Sequence, residues 1–94
     1  MILPVSMKLF LGALLIEEQV LSRVDADEIC RAIDRHVCAD FGLVSAEERA
    51  ANEDGLRRGL SVRSMFRAGD GILFCVETTG NRLQTRIFLK EVLP

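Results

Sequence analysis

The chain has 94 residues, 49% of them hydrophobic and 28% charged, with a formal net charge of −2. That length fits one domain with a real core. The near-neutral balance argues against bulk nucleic-acid binding by a basic surface and against DNA mimicry by an acidic one. The charge is uneven: residues 1–59 hold seven basic and eleven acidic side chains, residues 60–94 five and three. Three cysteines, Cys30, Cys38 and Cys75, make an odd set without close spacing. They read as free thiols in a reducing cytosol rather than a disulfide scaffold.

In chain order, residues 1–8 carry no structural signature and read as a flexible or non-native extension, with Met7 an alternative start to Met1. Residues 9–16 form a continuous apolar run. Followed at once by Glu17 and Glu18, and too short to span a bilayer, it reads as core, with strand preferred over helix. A short helix is expected over residues 18–24. Asp25 and Glu28 then resemble a capping box, and Ile29, Ile33, Val37 and Phe41 recur every four residues, predicting a helix that Gly42 closes. Ser45 and Glu48 form a better box, opening a polar helix to residue 58 with a thin stripe of Ala50, Ala51 and Leu56; Gly59 stops it.

Three strands should follow, over residues 60–67, 72–79 and 83–90. They are separated by turn signals at Gly69-Asp-Gly71 and Gly80-Asn81. The expected fold is therefore α+β: a short N-terminal strand or apolar segment, two to three helices, then a three-stranded antiparallel meander covered by helices on one face. Leu60, Val62 and Phe66, with Leu83, Ile87 and Leu89, should face the helices.

Alternation places Arg63, Met65, Arg67, Leu73, Cys75, Glu77, Gln84, Arg86, Phe88 and Lys90 on the other face. That is a basic rim around an apolar centre. Arg63, Met65, Arg67, Leu73, Arg86, Phe88 and Lys90 are the candidate partner-binding residues. The competing reading is that the N-terminal apolar segment covers this centre. A nucleic-acid platform would need several stacking aromatics, and Phe88 stands alone.

Asp34, His36 and Asp40 look at first like a reactive cluster. His36 and Asp40 share a helix face, but two groups do not make a metal site. Arg31 and Arg35 beside them point to ordinary surface ion pairing of the carboxylates, with His36 bonding a backbone group or capping an adjacent turn. Asn52 and Glu53 read as a solvated helix face. A small hydrolase or nuclease would need His36, Asp40 and Glu53 to converge. No catalytic motif, metal spacing or phosphate loop accompanies them, and no cofactor is implied.

Several short segments resemble a family of small bacterial proteins carried on plasmids, integrative elements and phages. They are Leu11-Gly-Ala-Leu-Leu-Ile16, Arg35-His36, Asp40-Phe-Gly42, Arg49-Ala-Ala-Asn-Glu53, Leu56, Ser64-Met-Phe66, residues 85–89 and Glu91-Val-Leu-Pro94. The departures are Phe41 where the family commonly has Trp, Glu17-Glu18 where Pro-Gly is common, and Leu73-Phe74 where a Trp is usual. The family brings no established activity. The resemblance implies a mobile-element origin. The small size, the missing catalytic constellation, the split charge and the mixed apolar and basic sheet face point to a cytoplasmic, non-enzymatic protein acting by protein–protein binding. By analogy with other very small proteins of such elements, its partner would be a host defence complex, as for anti-CRISPR or antirestriction proteins. A homodimer through an open strand edge, at residues 60–67 or 83–90, is a further expectation.

Overall fold

A computed structural model describes residues 7–90. The expected extension before Met7, and Glu91-Val-Leu-Pro94, lie outside the described residues, apart from Met7 and Lys8 themselves. The Lys8 N–H donates to the Val37 carbonyl at 2.7 Å. The elements run β1 (Ala13–Ile16), α1 (Glu18–Arg23), α2 (Ala26–Val37), α3 (Ala46–Arg58), β2 (Val62–Arg67), β3 (Leu73–Thr78) and β4 (Gln84–Leu89). No helix among the described residues is long and apolar enough to cross a membrane.

The fold is α+β, and the antiparallel meander β2-β3-β4 is present. The sheet is nevertheless four-stranded and mixed, not three-stranded and antiparallel. β1 adds to β4 in parallel, giving the order β1-β4-β3-β2. The reason is connectivity. Three helices lie between β1 and the meander, and so long a crossover permits parallel pairing that two-residue turns do not. β4 is thereby an inner strand rather than an open edge.

The first expected capping box does not form. Asp25 occupies the N-cap without a side-chain bond. Glu28 instead reaches across to the β2–β3 hairpin, accepting from the Gly69 N–H at 2.8 Å. α2 also stops earlier than Gly42. Ala39 takes φ +63, its N–H donates to the His36 carbonyl at 3.1 Å, and the Asp40 N–H donates to the Arg35 carbonyl at 2.9 Å. This pair of bonds is a Schellman stop, with alanine where glycine is usual. Phe41 is buried outside the helix. Gly42, at φ +71, lies so close to the Met65 carbonyl and the Phe66 ring that a Cβ would collide with them.

The second box is as expected. The Ser45 hydroxyl accepts from the Glu48 N–H at 3.0 Å, and the Glu48 carboxylate accepts from the Ser45 N–H at 3.2 Å. Gly59 closes α3 at φ +71. The face of α3 differs from expectation. Ala50 and Ala51 are exposed, and Leu56 packs on a small cluster of Leu9, Phe41 and Val62. Asn52, expected in solvent, is buried. Its carboxamide accepts from the Arg63 N–H at 3.0 Å and donates to the Arg63 carbonyl at 2.7 Å. A polar helix can dock this way because one amide satisfies both backbone groups of a strand residue.

The main core joins Val20, Val24, Ile29 and Ala32 from the helical layer to Phe66, Phe74, Val76 and Ile87 of the sheet. Leu60 and Leu83, expected to face the helices, are exposed because the strands begin only at Val62 and Gln84. Left-handed alanine costs about 1–2 kcal/mol. We expect Ala39→Gly to stabilise the protein by about 0.5–1 kcal/mol, after the larger unfolded-state entropy of glycine is deducted. A rightward shift of the urea midpoint checks this.

Candidate functional site

Two sets of side chains emerge on the two faces of the sheet. On the helix-covered face, alternation turns Ser64, Thr78 and Thr85 inward, and His36 descends onto them from the last turn of α2. All four are fully buried. The His36 Nδ1 lies 2.6 Å from the Ser64 Oγ and its Nε2 2.9 Å from the Thr78 Oγ1. Thr78 and Thr85 hydroxyls are 2.7 Å apart, and Thr85 donates to the Leu11 carbonyl at 2.7 Å.

One proton per hydroxyl orders the whole chain. Thr85 gives its proton to Leu11, so it accepts from Thr78. Thr78 has then spent its proton and accepts from Nε2–H. Neutral His36 therefore presents a bare Nδ1, which accepts from Ser64. Protonating His36 would set a second donor against Ser64. Burial, with the positive charge of Arg82 adding to it, lowers the His36 pKa to about 4. Arg82 is itself held by three carbonyls, donating to Leu60 at 2.8 Å, Thr79 at 3.0 Å and Gly55 at 3.0 Å.

This geometry does not bring His36, Asp40 and Glu53 together. Both ring nitrogens of His36 are taken inside the core. Asp40 is exposed and bonds the Arg35 guanidinium at 2.8 and 3.1 Å, which holds its carboxyl below the usual range. Glu53 is exposed on α3. The expectation that His36 bonds a backbone group or caps an adjacent turn is corrected: its partners are two side chains, Ser64 and Thr78. Among the described residues, no three His, Cys, Asp or Glu groups could hold a metal ion.

The other face carries the predicted partner-binding residues. The register sets Arg63 opposite Glu77, Met65 opposite Cys75 and Arg67 opposite Leu73. On the next ladder Glu77 stands opposite Arg86 and Cys75 opposite Phe88, and Leu15 of β1 pairs with Arg86. Arg63 bonds Glu77 at 3.0 Å. The Phe88 ring carries two guanidinium groups, Arg86 at 4.2 Å and Arg63 at 5.3 Å from its centroid. A shallow concavity of about 480 Å³ is lined by Glu17, Arg63, Cys75, Arg86, Phe88, Leu89 and Lys90. Arg67, Arg86 and Lys90 are exposed, while Met65, Leu73 and Phe88 are half-buried.

The N-terminal apolar segment does not cover this centre. β1 joins the sheet edge-on, and Leu9 turns to the helix side, packing with Phe41 and Val62. Cys75 is buried beneath its neighbours' side chains, and burial pushes its thiol pKa up, so it stays protonated and unreactive.

Sequence reasoning missed the Ser64–His36–Thr78–Thr85 chain and Asn52. The alternation that located the open face also turns Ser64, Thr78 and Thr85 inward. Three hydroxyls on a core face need partners, and that was the available signal. Comparison of the chain with protein-family models, curated proteins and solved structures finds no match.

The buried histidine sets a pH dependence. Near pH 7.5 His36 is neutral in both states. As pH falls below about 6.5 the unfolded chain takes a proton that the folded protein refuses until about 4. Folding stability should therefore drop by about 2 kcal/mol between about pH 7.5 and pH 5, above the range where carboxylates titrate. Urea unfolding at both pH values should show this drop in the native protein and not in His36→Gln.

Proposed function

We propose that the protein is a non-enzymatic interaction protein whose open sheet face docks a protein partner with an acidic surface. The observation that carries this reading is Phe88 held beneath Arg63 and Arg86 on a face bordered by Arg67 and Lys90. Within the described residues, Arg67, Arg86 and Lys90 make no ion pair, unlike Arg63, which Glu77 neutralises. A surface of this kind combines an apolar, aromatic centre with guanidinium groups positioned for bidentate carboxylate contacts, the composition favoured at interface hot spots.

The resemblance to mobile-element proteins supports the more specific reading. In it, the protein is an inhibitor or regulator that acts stoichiometrically on a host complex, such as a defence complex. The small size fits a molecule that works by occupying a surface. The hydrolase reading loses support because His36 spends both nitrogens on buried hydroxyls. The nucleic-acid reading has one aromatic side chain to stack on, against the several such platforms use.

The test is affinity capture from the native host with the unaltered protein and with Arg67→Glu/Arg86→Glu. We expect at least a tenfold loss of the captured partner, about 1.4 kcal/mol of binding, with an unchanged thermal midpoint. Equal recovery by the variant would contradict the reading. So would a salt-sensitive gel shift with single-stranded nucleic acid, which would move the assignment to that ligand.

A further inference from the structure

The sheet has two borders, and only one is protected. Along β2 the chain at residues 41–43 runs beside the strand. The Met65 N–H donates to the Phe41 carbonyl at 3.0 Å and the Leu43 N–H to the Met65 carbonyl at 2.8 Å. β2 also carries Arg63 and Arg67. At the other border stands β1, with no described chain on its outer side. The parallel ladder turns odd-numbered residues inward: the Ala13 N–H donates to Leu83 at 2.9 Å and the Glu17 N–H to Ile87 at 3.0 Å. Leu14 and Ile16 consequently aim their N–H and C=O groups outward.

This border is short but lacks the charged, proline or bulged residues that commonly guard an edge strand. Ala13-Leu14-Leu15-Ile16 contains no charge, no proline and no bulge. Exposed apolar side chains lie on β1 and on the segments next to it in the chain or the sheet. Leu14 is 41% exposed, Leu15 49%, Leu21 of the adjoining α1 60%, and Leu83, which bonds Ala13, 68%.

We propose that β1 pairs antiparallel with β1 of a second copy, about a two-fold axis through Leu15. In this register Leu14 exchanges both backbone bonds with Ile16 of the second copy, and Ile16 with its Leu14. The four outward groups of each copy are satisfied by the same four of the other, as an isologous interface requires. Leu15 meets its own equivalent at a non-hydrogen-bonded position, with Cα atoms about 4.5 Å apart.

Charge selects this arrangement. The antiparallel register sets Glu17 against Ala13 of the second copy, whereas an in-register parallel pair would set Glu17 against Glu17. Length agrees as well. Both strands give way to α1 at Glu18, so the paired segment ends at the same place in each copy. The product is a continuous eight-stranded sheet in which Leu15 extends the open face across the axis. This inference stands on the edge strand and does not depend on the docking role of that face.

The experiment uses residue 15 as its own partner. The unaltered protein should sediment as a dimer at high micromolar concentration. Leu15→Lys and Leu15→Glu should each be folded monomers, and an equimolar mixture of the two should recover a dimer. In a Cys30→Ser background, Leu15→Cys should cross-link into a covalent dimer under mild oxidation, because that Cα separation suits a disulfide, while Leu14→Cys should not. A monomeric unaltered protein, a dimer that survives Leu15→Lys, a mixture that stays monomeric, or equal cross-linking at position 14 would each overturn the proposal.

Discussion

A buried imidazole that must stay neutral holds this fold together. His36 reaches down from α2 and bonds β2 through Ser64 and β3 through Thr78. Thr78 passes the chain to β4 through Thr85, and Thr85 passes it to the backbone that leads into β1. One ordered run of hydrogen bonds thus touches all three meander strands, the helix above them and the segment before the parallel edge strand. Buried polar groups are costly when any member lacks a partner and specifying when all are satisfied. Here no buried side-chain polar atom among the described residues is left without one.

That arrangement frees the opposite face from structural duty. The helices and the buried chain occupy one side of the sheet, so the charged and aromatic side chains on the other need not hold the fold. Arg63, Arg86 and Phe88 form a local stack, and Cys75 fills the floor beneath it. Arg82 belongs to the structural side despite its charge, since its guanidinium ties the end of α3 to the β3–β4 turn through three carbonyls. The basic character of the C-terminal part thus divides into one clamp and a set of surface cations.

Local patterns were legible in the sequence and long-range ones were not. The Ser45 box, the Gly59 stop, the Gly69-Asp-Gly71 hairpin and the seven side chains of the open face follow from spacing alone, because period-two alternation and turn chemistry act over a few residues. β1 was readable as a strand, but its parallel partner was not, since nothing local records a pairing across some seventy residues. The end of α2 was misplaced at Gly42 because glycine is the ordinary stop; Ala39 takes that role, leaving Gly42 for a close approach to β2. Asn52 was assigned to the surface because polar residues usually lie there, and His36 to a local backbone or turn partner; only the assembled sheet supplies the partners that both find in the core.

The most direct test is the protonation state of His36. Nitrogen-detected NMR of the folded protein distinguishes the two tautomers. The ordered chain of hydroxyls requires the proton on Nε2 and a ring that stays neutral down to about pH 5, with its transition near the depressed value of about 4. A proton on Nδ1, or an ordinary titration near 6.5, would contradict the ordered chain and the architecture argued from it.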